Sequence, residues 1–396
     1  MLSFIYTENY KNLKFDGKVD LKNLNIFIGP NGSGKSNLIS YLKFLNQCLV
    51  GSPDPIRQVT AFDVAASQLG RILDTNLPTP SQVRFIYGFS NQTEYSEGIV
   101  LDTNLYIDQP LGKTLINVKK DCLYKGTDLE ENLNISSLYY NYPSSETGEG
   151  LLYKNNNQNY FSNSPFSQSH NVKSWIIAVV RSWQFYNSNN MNLEKIRTTE
   201  PKIGTNDVIL STEGDNLALV IDSLIQLDIN FEEFLNLAMK SIFPKTRRIR
   251  SARVGRLSLT VEWFLEGNNE PFYLNEMSDG TVRMLCWAVI LHSPYLPALL
   301  VIDEPELGLH PAWLSVLAQW IKKAAEKTQI ILTTHSPDLL DHFTDYVENV
   351  YSFEQVDATH YGLKPLSREI LQPQLDEGWE LGDLYRIGDP TIGAWP

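Results

Sequence analysis

The sequence of 396 residues predicts a mixed α/β fold, and three observations support this prediction. An apolar strand, Leu24–Ile28, ends at a glycine-rich turn, and a helix with apolar residues at three- and four-residue spacing follows it. In the last third of the chain, short apolar strands alternate with helices, as in a parallel sheet covered on both faces. Between residues 82 and 123, three strand-like runs indicate an antiparallel sheet beside the first unit.

The composition is that of a folded protein. The chain is 42% hydrophobic and 20% charged, which excludes disordered and fibrous proteins. We expect no membrane span and no targeting peptide, and the three cysteines form no CxxC pair. These features predict a cytoplasmic protein without a structural metal. The net charge of −13 limits any binding of nucleic acid to a local basic patch.

The predicted elements follow one another in a consistent order. The helix after Leu24–Ile28 ends before Gly51, and amide-rich loops mark an insertion between about residues 127 and 192. The other predicted strands are at 82–89, 98–101, 114–123, 257–263, 298–302 and 330–333, and the other predicted helices are at 216–227, 231–242, 281–291 and 312–327.

The turn after the first apolar strand has the pattern of a phosphate-binding loop. Residues 29–36, Gly-Pro-Asn-Gly-Ser-Gly-Lys-Ser, satisfy G-x-x-x-x-G-K-[ST] between a strand and a helix. Backbone N–H groups in such a loop point at phosphate oxygens, and the N-terminus of the helix adds a positive dipole end. The loop therefore predicts a site for a nucleoside triphosphate, with Lys35 on the β and γ phosphates and Ser36 on Mg²⁺. The residues expected to contact the nucleotide here are Gly29, Pro30, Asn31, Gly32, Ser33, Gly34, Lys35, Ser36 and Asn37.

Two carboxylates, Asp303 and Glu304, end a second apolar strand. We expect Asp303 to hold Mg²⁺ through water and Glu304 to polarise the water that attacks the γ-phosphate. An ordinary strand end would explain the same two residues, but the phosphate loop favours the catalytic interpretation.

Further segments resemble a known family. Residues 303–311 (Asp-Glu-Pro-Glu-Leu-Gly-Leu-His-Pro), 333–337 (Thr-Thr-His-Ser-Pro) and 277–281 (Met-Ser-Asp-Gly-Thr) resemble the Walker B and D-loop, switch histidine and signature motifs of ABC-type ATPases. The resemblance is to the RecF, OLD and SMC group, and within it to short stand-alone AAA-like ATPases, some of them from anti-phage defence loci. It includes the ending Leu-Gly-Asp-Leu-Tyr-Arg-Ile-Gly at 381–388, and it is weak between about 127 and 245.

The resemblance implies an ABC-type P-loop NTPase with a mixed sheet core, an antiparallel β subdomain and an inserted helical lobe that carries the signature motif. The expected divisions are an N-terminal part of the ATPase lobe at 1–126, the inserted lobe at 127–280, a C-terminal part of the ATPase lobe at 281–350, and a tail at 351–396 that completes the fold.

The signature segment has a physical interpretation of its own. Ser278 can cap the helix that begins near Thr281, so that Ser278, Asp279 and Gly280 present a hydroxyl and free N–H groups to an anion. A capped helix without a ligand explains the same residues. In the family that this sequence resembles, the signature motif of one protomer faces the γ-phosphate held by the Walker loop of the other. This arrangement implies a head-to-tail homodimer that holds two ATP molecules, either alone or within a higher assembly.

The resemblance also assigns roles to side chains near the acidic pair. His335 is expected to donate to the γ-phosphate or to orient the attacking water. Glu306 and His310 belong to the D-loop, which is expected to communicate across the dimer.

Two family features are ambiguous in the sequence. The glutamine that contacts Mg²⁺ and water could be Gln58, Gln68 or Gln82. Tyr10 and Lys11 lie where relatives contact the base, but an aromatic residue near a strand end is also typical of core packing.

The segment Lys245–Arg256 contains six cations and no acid, in contrast to the acidic chain as a whole. This contrast favours contact with a nucleic-acid backbone or an acidic protein surface. A solvated strand face, or ion pairs within the chain, would explain it equally well.

The leading hypothesis is an ATP-hydrolysing dimer that serves as the ATPase or sensor subunit of an anti-phage defence system. Only 61 residues follow His335, too few for a Toprim domain, so we expect the effector, a nuclease or toxin, to be a separate chain. One alternative is a RecF-like repair or recombination ATPase that clamps DNA. Another is a nucleotide-dependent scaffold with little hydrolysis.

Overall fold

The computed structural model describes residues 1–50, 81–91, 98–108, 115–129, 138–142, 167–202, 207–256 and 258–393. The chain forms two compact units. The first consists of Met1–Trp183, Glu348–Leu366 and Pro390–Pro396, and the second consists of Gln184–Val347 and Ser367–Asp389. Among the helices in the described ranges, none has the length and hydrophobicity that a membrane span requires.

The helices and strands of the described chain follow in this order. Up to Trp183 they are β1 (Leu2–Glu8), β2 (Val19–Asp20), β3 (Leu24–Ile28), α1 (Lys35–Val50), β4 (Ser81–Phe89), β5 (Ile99–Asp108), β6 (Leu115–Lys125), β7 (Leu138–Tyr142) and α2 (Ser167–Arg181). From there to Val347 they are β8 (Gln184–Asn187), α3 (Leu193–Thr198), α4 (Leu217–Leu227), α5 (Phe231–Ile242), β9 (Thr246–Val254), β10 (Ser258–Leu265), β11 (Phe272–Tyr273), α6 (Asp279–Leu291), β12 (Leu299–Asp303), α7 (Leu314–Ala325), β13 (Gln329–Thr333) and α8 (Pro337–Asp341). The remaining elements are β14 (Val350–Gln355), β15 (Tyr361–Pro365), α9 (Arg368–Asp376) and α10 (Leu381–Ile387).

The first unit contains the predicted antiparallel sheet, with its strands in the order β2-β1-β4-β5-β6-β7. β5 continues to Asp108, beyond the predicted end at residue 101. Polar residues enter the strand there, and they remain in it because they are paired across the sheet. Arg84 binds Asp102, and the Thr103 hydroxyl donates to Asp121 at 3.0 Å.

Helix α1 is held on this sheet by aromatic packing. The Tyr41 ring stacks on Tyr87, with ring centroids 4.5 Å apart, and on Phe85 at 5.6 Å. The Tyr41 hydroxyl donates to the Ile86 carbonyl at 2.6 Å, and burial raises the pKa of this phenol well above its ordinary value. These contacts fix the helix that the phosphate loop precedes. In the same unit β14 pairs in parallel with β3 and antiparallel with β15.

The described strands of the second unit belong to two sheets. β12 lies between β8 and β13, parallel to both, as the alternation of strands and helices predicts. β9, β10 and β11 form a separate antiparallel sheet. The predicted helices at 216–227, 231–242, 281–291 and 312–327 are confirmed within two residues as α4, α5, α6 and α7.

The buried ion pair of the first unit gives a test of its fold. Arg84 donates to both carboxylate oxygens of Asp102, at 3.0 and 2.8 Å, and the Asp102 side chain is 0% exposed. We expect Arg84→Met to lower the free energy of unfolding by about 3 to 5 kcal/mol, because it leaves a buried carboxylate without its guanidinium. Urea unfolding monitored by circular dichroism measures the change.

A matched control is Lys364→Met, because Lys364 pairs with Glu354 at the surface and is 61% exposed. This control should change the stability by less than about 1 kcal/mol. An equal loss in the two variants would contradict the assignment of a structural role to the Arg84 pair.

Candidate functional site

At Gly29 and Gly34, the backbone of the phosphate loop lies so close to neighbouring atoms that only glycine fits. Gly34 has φ +116°, and a Cβ there would lie 2.6 Å from the Leu13 side chain and 3.0 Å from Asn12 Oδ1. A Cβ on Gly29 would lie 2.9 Å from both Phe353 and Ser33. Gly32 has φ +82° with open space around it, so the crest of the loop is accessible. Because no side chain covers the loop at its glycines, a phosphate group can come close to the backbone, as binding by N–H groups requires.

Lys35 begins α1 and directs its ammonium into the curve of the loop. Its side chain is buried, and Nζ donates to the carbonyls of Gly29 at 2.5 Å and Pro30 at 2.9 Å. A buried ammonium on carbonyl oxygens, at the N-terminus of a 16-residue helix, is a concentrated positive charge. The surroundings of Lys35 therefore suit an anionic ligand.

An asparagine outside the motif braces the loop. Asn12 Nδ2 donates to the Gly32 carbonyl at 2.8 Å, and Asn12 Oδ1 accepts from Asn37 Nδ2 at 2.7 Å. Asn12 thus ties the crest of the loop to the first turn of α1. We did not predict Asn12 from the sequence, although it follows directly on the Tyr10 and Lys11 that we singled out.

For Tyr10, the core-packing alternative is confirmed. The ring is fully buried at 5.3 Å from Phe85, and its hydroxyl lies 2.6 Å from Ser40 Oγ. Lys11 has φ +54° and donates to the same Ser40 oxygen at 3.0 Å, and partial burial lowers the pKa of its ammonium. Among the candidate glutamines, Gln82 lies in β4, whereas Gln58 and Gln68 lie outside the described residues.

Asp303, at the end of β12, is oriented by its neighbours in the parallel sheet. In register with it lie Thr333 of β13 and Asn187 of β8. The Thr333 hydroxyl donates to Oδ1 and Asn187 Nδ2 donates to Oδ2, each at 2.5 Å. Each carboxylate oxygen retains a lone pair for a water or a cation, so this donor set suits Mg²⁺. Neither partner was among our candidates, but Thr333 could have been found as the residue that ends the next parallel strand.

Glu304 and His335 lie together at the same edge. Glu304 has φ +48°, a left-handed conformation that costs about 1 kcal/mol or more for a residue with a side chain. Its N–H donates to the Thr333 carbonyl at 3.0 Å, which keeps the turn on the edge of the sheet. The turn brings Glu304 Oε1 to 2.9 Å from His335 Nε2, with both side chains partly exposed. The two groups that we predicted to act on water thus contact each other.

Glu306 is directed inward, toward the segment that carries His335. Its Oε1 accepts from the Thr334 hydroxyl at 2.6 Å and from the His335 N–H at 3.0 Å. Within the described part of the chain, buried Oε2 has no hydrogen-bond partner. Burial raises the pKa of this carboxyl above its ordinary value. Glu306 therefore holds the backbone on which the switch histidine lies.

The signature segment caps α6, as predicted. Ser278 Oγ accepts from the Thr281 N–H at 3.3 Å, at the N-terminus of a helix of 13 residues. Arg197 of α3, which we did not predict, donates to Asp279 at 2.7 Å and to the Met277 carbonyl at 2.9 Å. This guanidinium compensates the charge of Asp279, so the helix N-terminus retains its positive character beside an acid.

The basic segment Lys245–Arg256 occupies strand β9 and the turn after it. Arg248 pairs with Glu232, and Arg250 pairs with Glu262 at 2.8 Å. The Arg247 guanidinium lies over the ring of Phe264 at 5.4 Å. Ion pairs among the described residues thus account for Arg248 and Arg250, and nucleic-acid contact through the segment stays a prediction.

The phosphate loop belongs to the first unit, and the acidic pair, His335 and the signature segment belong to the second. Within the second unit the structure brings Asp303, Glu304 and His335 together at the ends of β12 and β13.

Glu306 makes the stability of the second unit depend on pH. A carboxyl whose pKa is raised on folding stabilises the protein below the unfolded pKa, and this contribution is lost as pH rises through the folded pKa. The ordinary pKa of a glutamate carboxyl is about 4.5. As the pH rises above this value, the free energy of unfolding of the wild type should therefore fall relative to that of Glu306→Gln. Urea unfolding of both proteins between pH 4.5 and 8 measures the difference, and parallel curves would contradict this prediction.

Residues 24–341 match the family described as "AAA domain, putative AbiEii toxin, Type IV TA system". No curated protein sequence matches the chain.

Two solved structures show that the fold is that of SMC head domains. One is the Smc head bound to the C-winged helix domain of ScpA, with a TM-score of 0.54 and 13% identity over 94% of this chain and 99% of that chain. The other is the Smc head with an extended coiled coil, bound to the C-terminal domain of ScpA from Pyrococcus furiosus, with a TM-score of 0.53 and 11% identity over 95% and 98%. The predicted ABC-type fold class is thereby confirmed. Because the family match extends over most of the sequence, the chain belongs to this AAA-domain family.

Proposed function

We propose that the protein binds ATP on the loop Gly29–Ser36 and hydrolyses it. The observation that carries this proposal is the loop itself, in which Gly29 and Gly34 leave no room for a side chain and Lys35 directs a buried ammonium inward. Family membership supports the same ligand.

The residues offered to Mg²⁺ are the Ser36 hydroxyl and the Asp303 carboxylate. Both supply the oxygen ligands that this ion prefers, and Thr333 and Asn187 keep the Asp303 carboxylate in one orientation. When bound, Mg²⁺ neutralises charge on the β and γ phosphates.

Glu304 is the proposed general base. Its carboxylate takes a proton from the attacking water, and the contact of Oε1 with His335 Nε2 keeps it in position. Before reaction the His335 Nε2–H donates a hydrogen bond to this carboxylate and keeps its proton, and once the carboxylate has taken the proton of the water, the same N–H can donate to the charge that develops on the γ-phosphate. The backbone of Glu304 is left-handed, and its carboxylate contacts His335 whereas that of Asp303 accepts from Thr333 and Asn187, so we assign the consecutive acids separate roles.

We further propose a head-to-tail dimer in which Ser278, Asp279 and Gly280 of one protomer meet the phosphates bound by its partner. The capped N-terminus of α6, with Asp279 compensated by Arg197, supports this role.

The biological context that we favour is an anti-phage defence system with a separate effector chain. The family description names a toxin and a type IV toxin–antitoxin system, and the SMC heads of similar fold are bound to domains of ScpA. Both support a protein partner. Mass measurement of the protein purified with its genomic neighbours identifies that partner.

Lys35→Ala should weaken ATP binding by about 10- to 100-fold, because a charge-assisted hydrogen bond to phosphate is worth roughly 1.5 to 3 kcal/mol. Equilibrium titration with a fluorescent ATP analogue measures the change. Lys43→Ala, on the same helix α1, is the matched control and should bind as the wild type does. Equal affinity of the wild type and the Lys35 variant would exclude the loop as the nucleotide site.

Glu304→Gln should reduce ATP turnover by about 10²- to 10⁴-fold while it preserves ATP binding, since it removes the base but leaves the shape of the side chain. The variant with ATP should then accumulate as a dimer in light scattering. Wild-type turnover as slow as that of the variant would favour the scaffold alternative. The same mass with and without ATP would contradict the shared-site dimer.

A further inference from the structure

The C-terminal segment 381–388, noted in the sequence, folds as α10 and packs against α8. The contact is close at Gly382, where a Cβ would lie 2.1 Å from the Pro337 carbonyl oxygen and 2.2 Å from Asp341 Oδ1. Only a residue without a side chain permits this approach. α8 is the helix that begins two residues after the switch histidine.

Arg386, on the same helix, pairs with acids on both sides of the contact. Its guanidinium binds Asp338 and Asp341 of α8, the latter at 2.9 Å, and Asp383 of its own helix at 2.8 Å. The Leu381 N–H also donates to Thr344 Oγ1, just beyond α8, at 3.1 Å. α10 is therefore joined to α8 by backbone proximity and by a shared guanidinium, and to Thr344 by a hydrogen bond.

A continuous set of hydrogen bonds connects α8 to His335. Ser336 caps α8 through its hydroxyl, which accepts from the Leu339 N–H at 3.1 Å. The Ser336 N–H donates to Thr334 Oγ1 at 3.0 Å, that hydroxyl donates to Glu306, and Glu306 also accepts from the His335 N–H at 3.0 Å. His335 thus lies between Glu306 on one side and the capped end of α8 on the other.

α8 cannot hold this position by itself. It has five residues, fewer than an isolated helix needs to be stable in water, so its place depends on its neighbours. Its contact with α10 is more extensive than its contact with α7.

We propose that α10 positions His335 against Glu304, acting through α8, and that Gly382 and Arg386 are the positioning residues. The proposal rests on the proposed function of His335 and Glu304 in hydrolysis. It gives the C-terminal segment a role in the nucleotide cycle, distinct from nucleotide binding.

The test uses the full chain and two independent readouts. Gly382→Ala forces α10 away from α8, and Arg386→Gln removes the ion pairs without adding volume. The matched controls are Gly17→Ala, at an exposed glycine with no atom within 4 Å of the added Cβ, and Lys240→Gln, which removes a surface pair with Glu266. We call residues 334–341, which contain His335 and α8, the switch segment. Amide hydrogen exchange of peptides covering 334–341 reports how well this segment is ordered, and steady-state kinetics report turnover.

Both variants should exchange faster over 334–341 than the wild type and the controls. Their kcat should fall by about 10- to 100-fold with ATP affinity unchanged, because displacement by about 1 Å is enough to cost that factor. Arg386→Lys, which keeps the charge but not the fork of donors, should recover part of the loss. A loss of affinity equal to the loss of kcat would instead indicate general destabilisation and overturn the proposal.

The proposal is also overturned if both variants exchange over 334–341 at the wild-type rate. It is overturned as well if the variants exchange faster over this segment but keep the full turnover of the wild type. If Gly382→Ala does not fold, Arg386→Gln alone decides. If the wild type itself shows no ATP turnover, the proposed function fails, and exchange still determines whether α10 orders the switch segment.

Discussion

The parallel pairing of β12 with β13 is the constraint on which the second unit's site depends. Because parallel strands end at the same edge, register places Asp303 opposite Thr333, and the next residues of each strand follow at that edge. Glu304 then adopts a left-handed backbone, and its N–H remains bound to the Thr333 carbonyl. A shift of one residue in this register would separate Asp303 from the Thr333 hydroxyl and Glu304 from His335.

The polar groups at this edge form a connected network. Asp303 accepts from a hydroxyl and an amide, Glu304 contacts His335, and Glu306 accepts from the backbone behind His335. Three acids within four residues therefore have different surroundings, and burial raises the pKa of the Glu306 carboxyl. Because environment, not residue type, separates them, one short segment can supply a metal ligand, a base and a structural anchor.

The first unit meets a different requirement, since its loop must let the backbone approach a ligand. The loop is supported from behind by Leu13, Asn12 and Phe353, which fill the space that side chains on Gly29 and Gly34 would need. The aromatic packing of α1 on the antiparallel sheet gives that loop a rigid base. Rigid support of this kind allows N–H groups to be oriented before a ligand arrives.

Features carried by neighbouring residues were determined by the sequence alone: the strand, loop and helix around Lys35, the helices α4 to α7, the acidic end of β12 and the cap on α6. They follow from local backbone preferences, which depend on residues a few positions apart. Only the tertiary structure decided that Asn187 reaches Asp303 across 116 positions, that Glu306 is directed inward, that Tyr10 is core and that α10 lies on α8. These contacts depend on strand register and on which surfaces are buried together, and neither is contained in the spacing of a single motif.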